Sequence, residues 1–263
     1  MEYFVKPDSV VRRIWSKADT VLFIFAGSAA EFALNKAVDW LYFTGKLPAD
    51  PLGRLFSTVE YARRIVFAER AAAEHAIDTI VGIHAAVEAK RGMRIPDWAY
   101  RDVLFMLTAY SISVFEAIER PLTAAEKEEI VDVFYRMGAR MGIPEVPATY
   151  AAWQQARQAH LENDLVVSSY TTDLYRQYRR HLGAFRYGLV LQAQQFVVPP
   201  RVRELLHLGR WSWLPLALPV YRPTQHLALG RWARASLMPL KYRAQILALD
   251  GQPAVAAPAL QAQ

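Results

Sequence analysis

Helix-length segments, separated by short turns that contain Gly or Pro, run through most of the 263-residue sequence. Predicted helices cover residues 9–25, 27–44, 54–67, 69–91, 97–119, 124–141, 149–162 and 169–197. Gly92 is a stop signal after the fourth of these, and Thr123 with Glu126 three residues later has the spacing of a capping box. Helices joined by short loops, with almost no alternating strand pattern, predict an all-α fold.

A change of composition at Pro199-Pro200 suggests how the chain is organised. We predict a single helical domain whose core comprises residues 1–198. Residues 199–250 are rich in Pro, Trp, Leu and Arg, and we expect them to wrap this core irregularly as short helices of the same domain. Residues 251–263 are rich in Ala, Pro and Gln, which predicts a disordered tail.

The chain contains no cysteine. Disulfides, thiolate zinc sites, iron–sulfur clusters and thiolate-ligated haem are therefore excluded. Charged residues occur near the start, where a signal peptide would need an apolar stretch. The longest apolar runs, 21–27 and 211–220, are shorter than the ~20 residues of a membrane-spanning helix. These features predict a cytoplasmic protein.

The net charge of +6 comes from the C-terminal part, where residues 151–263 contain 13 Lys and Arg against 5 Asp and Glu. No DNA- or RNA-binding motif accompanies this charge, so we predict no nucleic-acid partner. The segment around Trp211 and Trp213 lies among arginines. Such a segment can rest on a membrane surface, which makes peripheral membrane contact an expectation, with packing against the core as its alternative.

Several common catalytic signatures are absent, including HExxH, GxGxxG, the phosphate-binding loop and GxSxG. A di-iron carboxylate site needs two Glu-x-x-His pairs with further glutamates. The chain has one such pair, Glu204 and His207. This argues against a di-iron site and leaves the remaining histidines as candidates for other chemistry.

His84 shares a helical stripe with aliphatic residues such as Ile77 and Ile80, whereas His75 lies roughly 180° away on the same helix. A histidine in this position is commonly a core residue that hydrogen-bonds to the backbone. The same position suits a haem ligand, because a neutral imidazole must project from a rigid helix with its other nitrogen bonded to an acceptor. The Ile80 carbonyl, one turn earlier, is the expected acceptor. Position alone leaves both interpretations open.

Arg54 and Thr58 are four residues apart and share one face of a predicted helix. They are candidates for a polar pair at the edge of an apolar site. The alternative is an ordinary first turn after Pro51, with Arg54 in a surface salt bridge.

Taken in order, six short segments resemble the MpaB and rubber oxygenase family, which includes latex-clearing protein, over roughly residues 15–245. These segments are Phe23-Ile-Phe-Ala-Gly27, Asp50-Pro51-Leu-Gly-Arg54-Leu-Phe-Ser-Thr58, Gly82-Ile-His84-Ala-Ala-Val87, Pro121-Leu-Thr123, Gly142-Ile-Pro144 and Leu237-Met-Pro-Leu-Lys-Tyr-Arg243. The family pattern includes an apolar helix that ends at the glycine of the first segment.

The resemblance implies a globin-like helical core, one b-type haem, and O₂ chemistry on an apolar substrate such as an isoprenoid or other unsaturated lipid. It implies that His84 is the proximal iron ligand, with Arg54 and Thr58 close to the haem on its distal side. The chain departs from many relatives in lacking a His-Pro in residues 34–40 and a Trp-Val-His at 105–107. No motif places the distal acid, for which Asp39 and Glu31 are the candidates nearest in sequence.

Three functions remain to be compared. The first is a haem b-dependent oxygenase that acts with O₂ on an apolar substrate. The second is a non-catalytic haem protein that senses a gas or stores or senses haem. The third is a haem-free helical module that binds a hydrophobic ligand or partner.

Overall fold

The computed structural model describes residues 2–221, 240–242, 244 and 249. Its α-helices are α1 (Val10–Trp15), α2 (Ala18–Phe32), α3 (Val38–Phe43), α4 (Lys46–Ala49), α5 (Pro51–Phe67), α6 (Arg70–Arg91), α7 (Asp97–Ile118), α8 (Ala124–Arg140), α9 (Tyr150–Asn163), α10 (Ser169–Val197), α11 (Pro200–Leu205) and α12 (Leu214–Tyr221). A 3₁₀ turn covers Leu240–Tyr242. No sheet forms among these residues, so the all-α prediction is confirmed for this part of the chain. The globin-like arrangement stays a prediction.

Helix α2 lies at the centre of the fold, where it packs most extensively against α7 and α10. The prediction that a helix ends at Gly27 is wrong, since α2 continues through this residue to Phe32. A Cβ atom on Gly27 would lie 2.4 Å from Cε1 of Tyr110 on α7. This glycine therefore permits close approach of two helices and does not end one. The predicted 9–25 segment instead breaks after Trp15.

The segment 46–53 lies between two predicted helices and contains two prolines and a glycine, which predict a loop. In the structure it forms the short helix α4 and the start of α5. Asp50 caps α5, because its Oδ1 accepts a hydrogen bond from the Gly53 amide at 3.0 Å. Pro51 occupies the first turn, where its missing N–H costs nothing. The residues that suggested a loop thus form a helix start.

Several helix ends agree with the sequence signals. Gly92 ends α6 in the left-handed conformation with φ +69°. The Thr123 hydroxyl accepts from the Glu126 amide at 3.2 Å, and the Glu126 carboxylate accepts from the Thr123 amide at 2.9 Å. This confirms the capping box. Within α10, Gly183 adopts φ +73° and kinks the helix.

The described residues beyond the core include two that contact α5. The Tyr242 ring stacks on Phe56 with 5.3 Å between ring centroids. The Leu249 carbonyl accepts a hydrogen bond from Arg63 at 2.7 Å. The wrap predicted for residues 199–250 and the boundaries of the domain stay predictions. Residues 222–239 and the predicted tail 251–263 lie outside the described residues.

Candidate functional site

Helices α5 and α6 form a hairpin joined by Ala68 and Glu69. Arg54 and His84 are each fifteen residues from Glu69 along the chain. Because both helices rise about 1.5 Å per residue, folding the hairpin brings these two residues to the same height. The pattern of the sequence therefore places a guanidinium and an imidazole on neighbouring helices.

The turn of this hairpin is held against the N-terminal residues and α1. The Arg70 amide donates to the Glu2 carbonyl at 2.8 Å, and the Arg12 guanidinium donates to the carbonyls of Val5 and Phe67. On α5, the Arg63 guanidinium donates to the Trp15 carbonyl at 3.0 Å. These hydrogen bonds, of which those made by Arg12 and Arg63 are buried, tie α5 and the start of α6 to the N-terminal residues and α1.

The His84 side chain is half-buried on α6, with its ring centroid 5.1 Å from that of Tyr100 on α7. Its Nδ1 atom is buried and has no hydrogen-bond partner. The expectation that the Ile80 carbonyl accepts from this ring is therefore wrong. Burial, together with the nearby charge of Arg54, lowers the pKa of His84 to about 4, although Glu88 acts in the opposite direction. The imidazole is thus neutral at pH 7 and retains an uncommitted nitrogen.

A cavity of about 150 Å³ opens beside His84. Its walls come from α6, the α6–α7 connection, the start of α7 and the turn after α8, and include Val81, His84, Glu88, Arg94, Tyr100, Met141 and Ile143. Typical cofactor pockets measure about 300–1,000 Å³. A group of porphyrin size therefore needs this cavity to widen.

Arg54 is half-buried on α5, and this burial lowers the pKa of its guanidinium. No hydrogen bond or ion pair reaches the guanidinium from the residues that the structure describes. Thr58 lies one turn later, where its hydroxyl donates to the Arg54 carbonyl at 3.1 Å. Tyr61 was missed by the sequence analysis, although it follows Thr58 by one turn. Its buried hydroxyl also has no partner.

The two candidate distal acids are both engaged elsewhere. Asp39 on α3 forms a salt bridge of 2.6 Å with Arg91 on α6. Arg91 follows His84 by about two helical turns, which puts both residues on one side of α6. The structure therefore brings Arg54 close to His84. It places Asp39 beside the C-terminal end of α6, about two turns away from His84.

Glu31, the second candidate acid, is completely buried in a polar cluster that sequence reasoning did not find. Its carboxylate accepts hydrogen bonds from both terminal nitrogens of Arg157 on α9 and from the Tyr110 hydroxyl at 2.9 Å. Nε2 of His160 lies 2.9 Å from Oε1 of Glu31. Burial opposes ionisation of Glu31, but Arg157 and His160 outweigh it and lower the pKa of this carboxyl to about 2.

Comparison with known proteins identifies this all-α chain as an oxygenase catalytic domain. The family model described as "ER-bound oxygenase mpaB/B'/Rubber oxygenase, catalytic domain" matches residues 15–235. Because this is most of the chain, the protein belongs to the MpaB and rubber oxygenase family. No curated protein and no solved structure matches the chain.

Family membership makes the chain an oxidoreductase of the oxygenase class, which uses O₂ and an apolar substrate. Among the described residues, every helix is too short or too polar to cross a membrane.

Proposed function

We propose that the protein is a haem b-dependent oxygenase that acts with O₂ on an isoprenoid or other unsaturated lipid. In this proposal His84 ligates the iron, and Arg54 and Thr58 line the cofactor and catalytic site. The observation that carries it is the neutral His84 imidazole, whose buried Nδ1 has no partner, on a hairpin that also presents an unpaired Arg54.

The donor set fits a b-type haem. A ligand histidine must be neutral and must come from a rigid element, and both conditions hold for His84 on α6. The third condition, an acceptor for the second ring nitrogen, is not met by any described residue. Arg54 supplies a positive charge with no protein partner among the described residues, which suits a haem propionate or another carboxylate. The cavity beside His84 is smaller than a porphyrin needs, so the proposal requires the surrounding side chains to move apart.

When bound, haem supplies the oxidising chemistry with O₂, and the protein supplies orientation and electrostatics. Burial, with the Arg54 charge as the second cause, keeps His84 unprotonated, and this preserves its lone pair over the physiological pH range. Tyr100 packs against the imidazole and restricts its rotation. Because the Thr58 hydroxyl donates to its own helix, its lone pairs are available to accept a hydrogen bond from water or from a polar group of the substrate.

Exposed apolar side chains support access to a lipid substrate. Trp211 is 88% exposed, Leu216 81% and Phe185 72%. Arg186 and Arg210 are their immediate neighbours in sequence. An apolar surface beside arginines suits the interface of an anionic membrane, so we include peripheral membrane contact in the proposal.

The first test is the absorption spectrum of the purified protein, oxidised and reduced. We expect a haem b spectrum that is lost or shifted in His84→Ala. His75→Ala is the matched control, because it removes an exposed histidine from the same helix and should leave the spectrum unchanged. An unchanged spectrum and haem content in His84→Ala would show that another residue ligates the iron.

A second test separates the three functions. We expect the haem-loaded protein to consume O₂ in the presence of a reductant and an alkene-bearing lipid, and Arg54→Gln to reduce this rate. Haem without turnover across a broad lipid panel would assign the protein to gas or haem sensing or storage. A colourless protein that cannot be reconstituted with haem would assign it to hydrophobic-ligand binding.

A further inference from the structure

Three potential metal ligands meet between α7 and α9, on the side of α7 away from His84. Nδ1 of His160 lies 2.7 Å from Oδ1 of Asp102 and 3.7 Å from Oδ2 of Asp164. All three ligand atoms lie within 4.8 Å of one another. Asp102 follows Tyr100 by two residues on α7, which turns the two side chains roughly 200° apart. The cluster is therefore separate from the surroundings of His84.

The His160 ring has an unused nitrogen that points into this cluster. Its side chain is 1% exposed, yet Nδ1 makes no hydrogen bond. The Asp102 oxygen is close enough, but it approaches outside hydrogen-bond geometry. A buried ring nitrogen without a hydrogen bond is costly, because it has lost its contact with water. Its position between two carboxylates indicates that the missing partner of this nitrogen is a bound cation.

Neighbouring residues orient two of the three ligands, His160 and Asp102. Nε2 of His160 lies 2.9 Å from Oε1 of Glu31, so a donated Nε2–H leaves the Nδ1 lone pair free. Oδ2 of Asp102 accepts from Nδ2 of Asn35 at 2.8 Å, which directs Oδ1 towards His160. A carboxylate on the second ring nitrogen and a hydrogen-bonded ligand carboxylate are typical of metal sites.

Charge also favours a divalent cation. The carboxylates of Glu31, Asp102 and Asp164 face one buried guanidinium, that of Arg157. Before the His160 ring is counted, these groups carry a net charge of −2. Burial of His160 lowers its pKa, but Asp102 and Glu31 outweigh this effect and raise it, which reflects the excess of negative charge. A single proton on His160 compensates half of this charge, whereas a divalent cation compensates all of it.

The distances and the accessibility are compatible with a bound ion. Two ligand atoms on one tetrahedral zinc ion are about 3.4 Å apart, given bonds of about 2.1 Å. The two separations that involve Nδ1 of His160, 2.7 and 3.7 Å, bracket this value, and all three ligand atoms lie within 4.8 Å of one another. Shifts of no more than about 1.5 Å therefore admit the ion. Asp164 is 26% exposed, which leaves a path for the ion and for a water ligand. Lys36 is the cation nearby on this exposed side, and it acts on Asp164.

We propose that Asp102, His160 and Asp164 bind one divalent transition-metal cation, of the kind that accepts one imidazole and two carboxylates, such as Zn²⁺ or Mn²⁺. The ion cross-links α7 to α9 and, through Glu31, to α2. Its role is to stabilise the packing of these helices. The proposal does not depend on haem binding at His84.

Titration calorimetry with Zn²⁺ on chelator-treated full-length protein tests the site, and Co²⁺ absorption reports its coordination. We expect one ion per chain, and we expect Asp164→Asn to weaken binding by at least about tenfold. Glu162→Gln is the matched control, since it removes an exposed carboxylate from the same helix, and it should change the affinity by less than about twofold. His84→Ala should bind Zn²⁺ as the unmodified protein does.

Thermal unfolding with and without Zn²⁺ gives a second readout that needs no variant. Bound metal should raise the Tm of the unmodified protein, with saturation at one equivalent. Absence of 1:1 binding, or equal affinity in Asp164→Asn, would overturn the proposal and leave the cluster as a hydrogen-bonded imidazolium. Loss of Zn²⁺ binding in His84→Ala would move the metal site to α6 and would equally overturn it.

Discussion

The Tyr110 ring lies against Gly27 so closely that a Cβ atom on this glycine would be 2.4 Å from Cε1. The same tyrosine donates its hydroxyl to Glu31, one helical turn further along α2. The close approach of α2 and α7 and the buried polar cluster are therefore coupled through one side chain. Displacement of the ring would disturb both.

This coupling predicts that Gly27→Ala destabilises the protein, although alanine is the better helix former. The added methyl group forces the Tyr110 ring to move, which typically costs about 1–3 kcal/mol in a packed core. Gly82→Ala is the matched control, because Gly82 is helical and has nothing within 4 Å of its Cβ position. It should raise the free energy of unfolding by up to about 1 kcal/mol. Urea denaturation measures both, and equal effects of the two variants would contradict the prediction.

The buried pair of Glu31 and Arg157 predicts a strong effect of removing one charge. Glu31→Gln leaves the Arg157 guanidinium buried without its counter-charge, and we expect a loss of about 3–5 kcal/mol in the free energy of unfolding. The exposed pair of Glu60 and Arg64 on α5 provides the comparison, because Glu60→Gln should cost only about 0.3–0.5 kcal/mol. A loss below about 1 kcal/mol in Glu31→Gln would mean that the cluster contributes little to stability.

The lowered pKa of His84 predicts how stability depends on pH in the haem-free protein. The unfolded chain binds the proton below about pH 6.5, whereas the folded protein binds it below about pH 4. Since the unfolded state binds more protons in this interval, stability falls as the pH is lowered from about 6.5 to about 4. The loss is on the order of 3 kcal/mol.

The contribution of His84 is isolated by substitution. His84→Gln should flatten this part of the pH profile, and His75→Gln, at an exposed position of the same helix, should retain it. The comparison uses urea denaturation at several pH values. A profile of His84→Gln that matches the unmodified protein would show that other groups cause the loss.

The unpaired guanidinium of Arg54 predicts a conflict between stability and function. Arg54→Met removes a half-buried charge that has no partner among the described residues, so the haem-free protein should become more stable by about 0.5–1 kcal/mol. The same variant should lose haem more readily, which transfer of haem to apomyoglobin measures. Destabilisation of the haem-free protein would indicate that the guanidinium already stabilises the fold.

Local signals in the sequence predicted the all-α fold and several helix ends. Gly92 and the capping box of Thr123 and Glu126 act through backbone geometry and hydrogen bonds within a few residues, so they are readable without the rest of the fold. The spacing of His84 on its helix also placed it on the partly buried side. The family match over residues 15–235 confirms the resemblance drawn from the ordered motifs.

Tertiary packing decided the features that sequence reasoning missed or misjudged. Gly27 looked like the end of a helix. The reason for a glycine at this position is its contact with Tyr110, which is 83 residues away and cannot be read from the local sequence. Glu31 and His160 are 129 residues apart, and nothing in their local surroundings shows that they share a buried cluster. By itself the sequence determined where α6 ends and where α8 begins, since the signals at Gly92 and Thr123 are local. Only the tertiary structure decided which polar groups lose water together, because burial is a property of the packed helices.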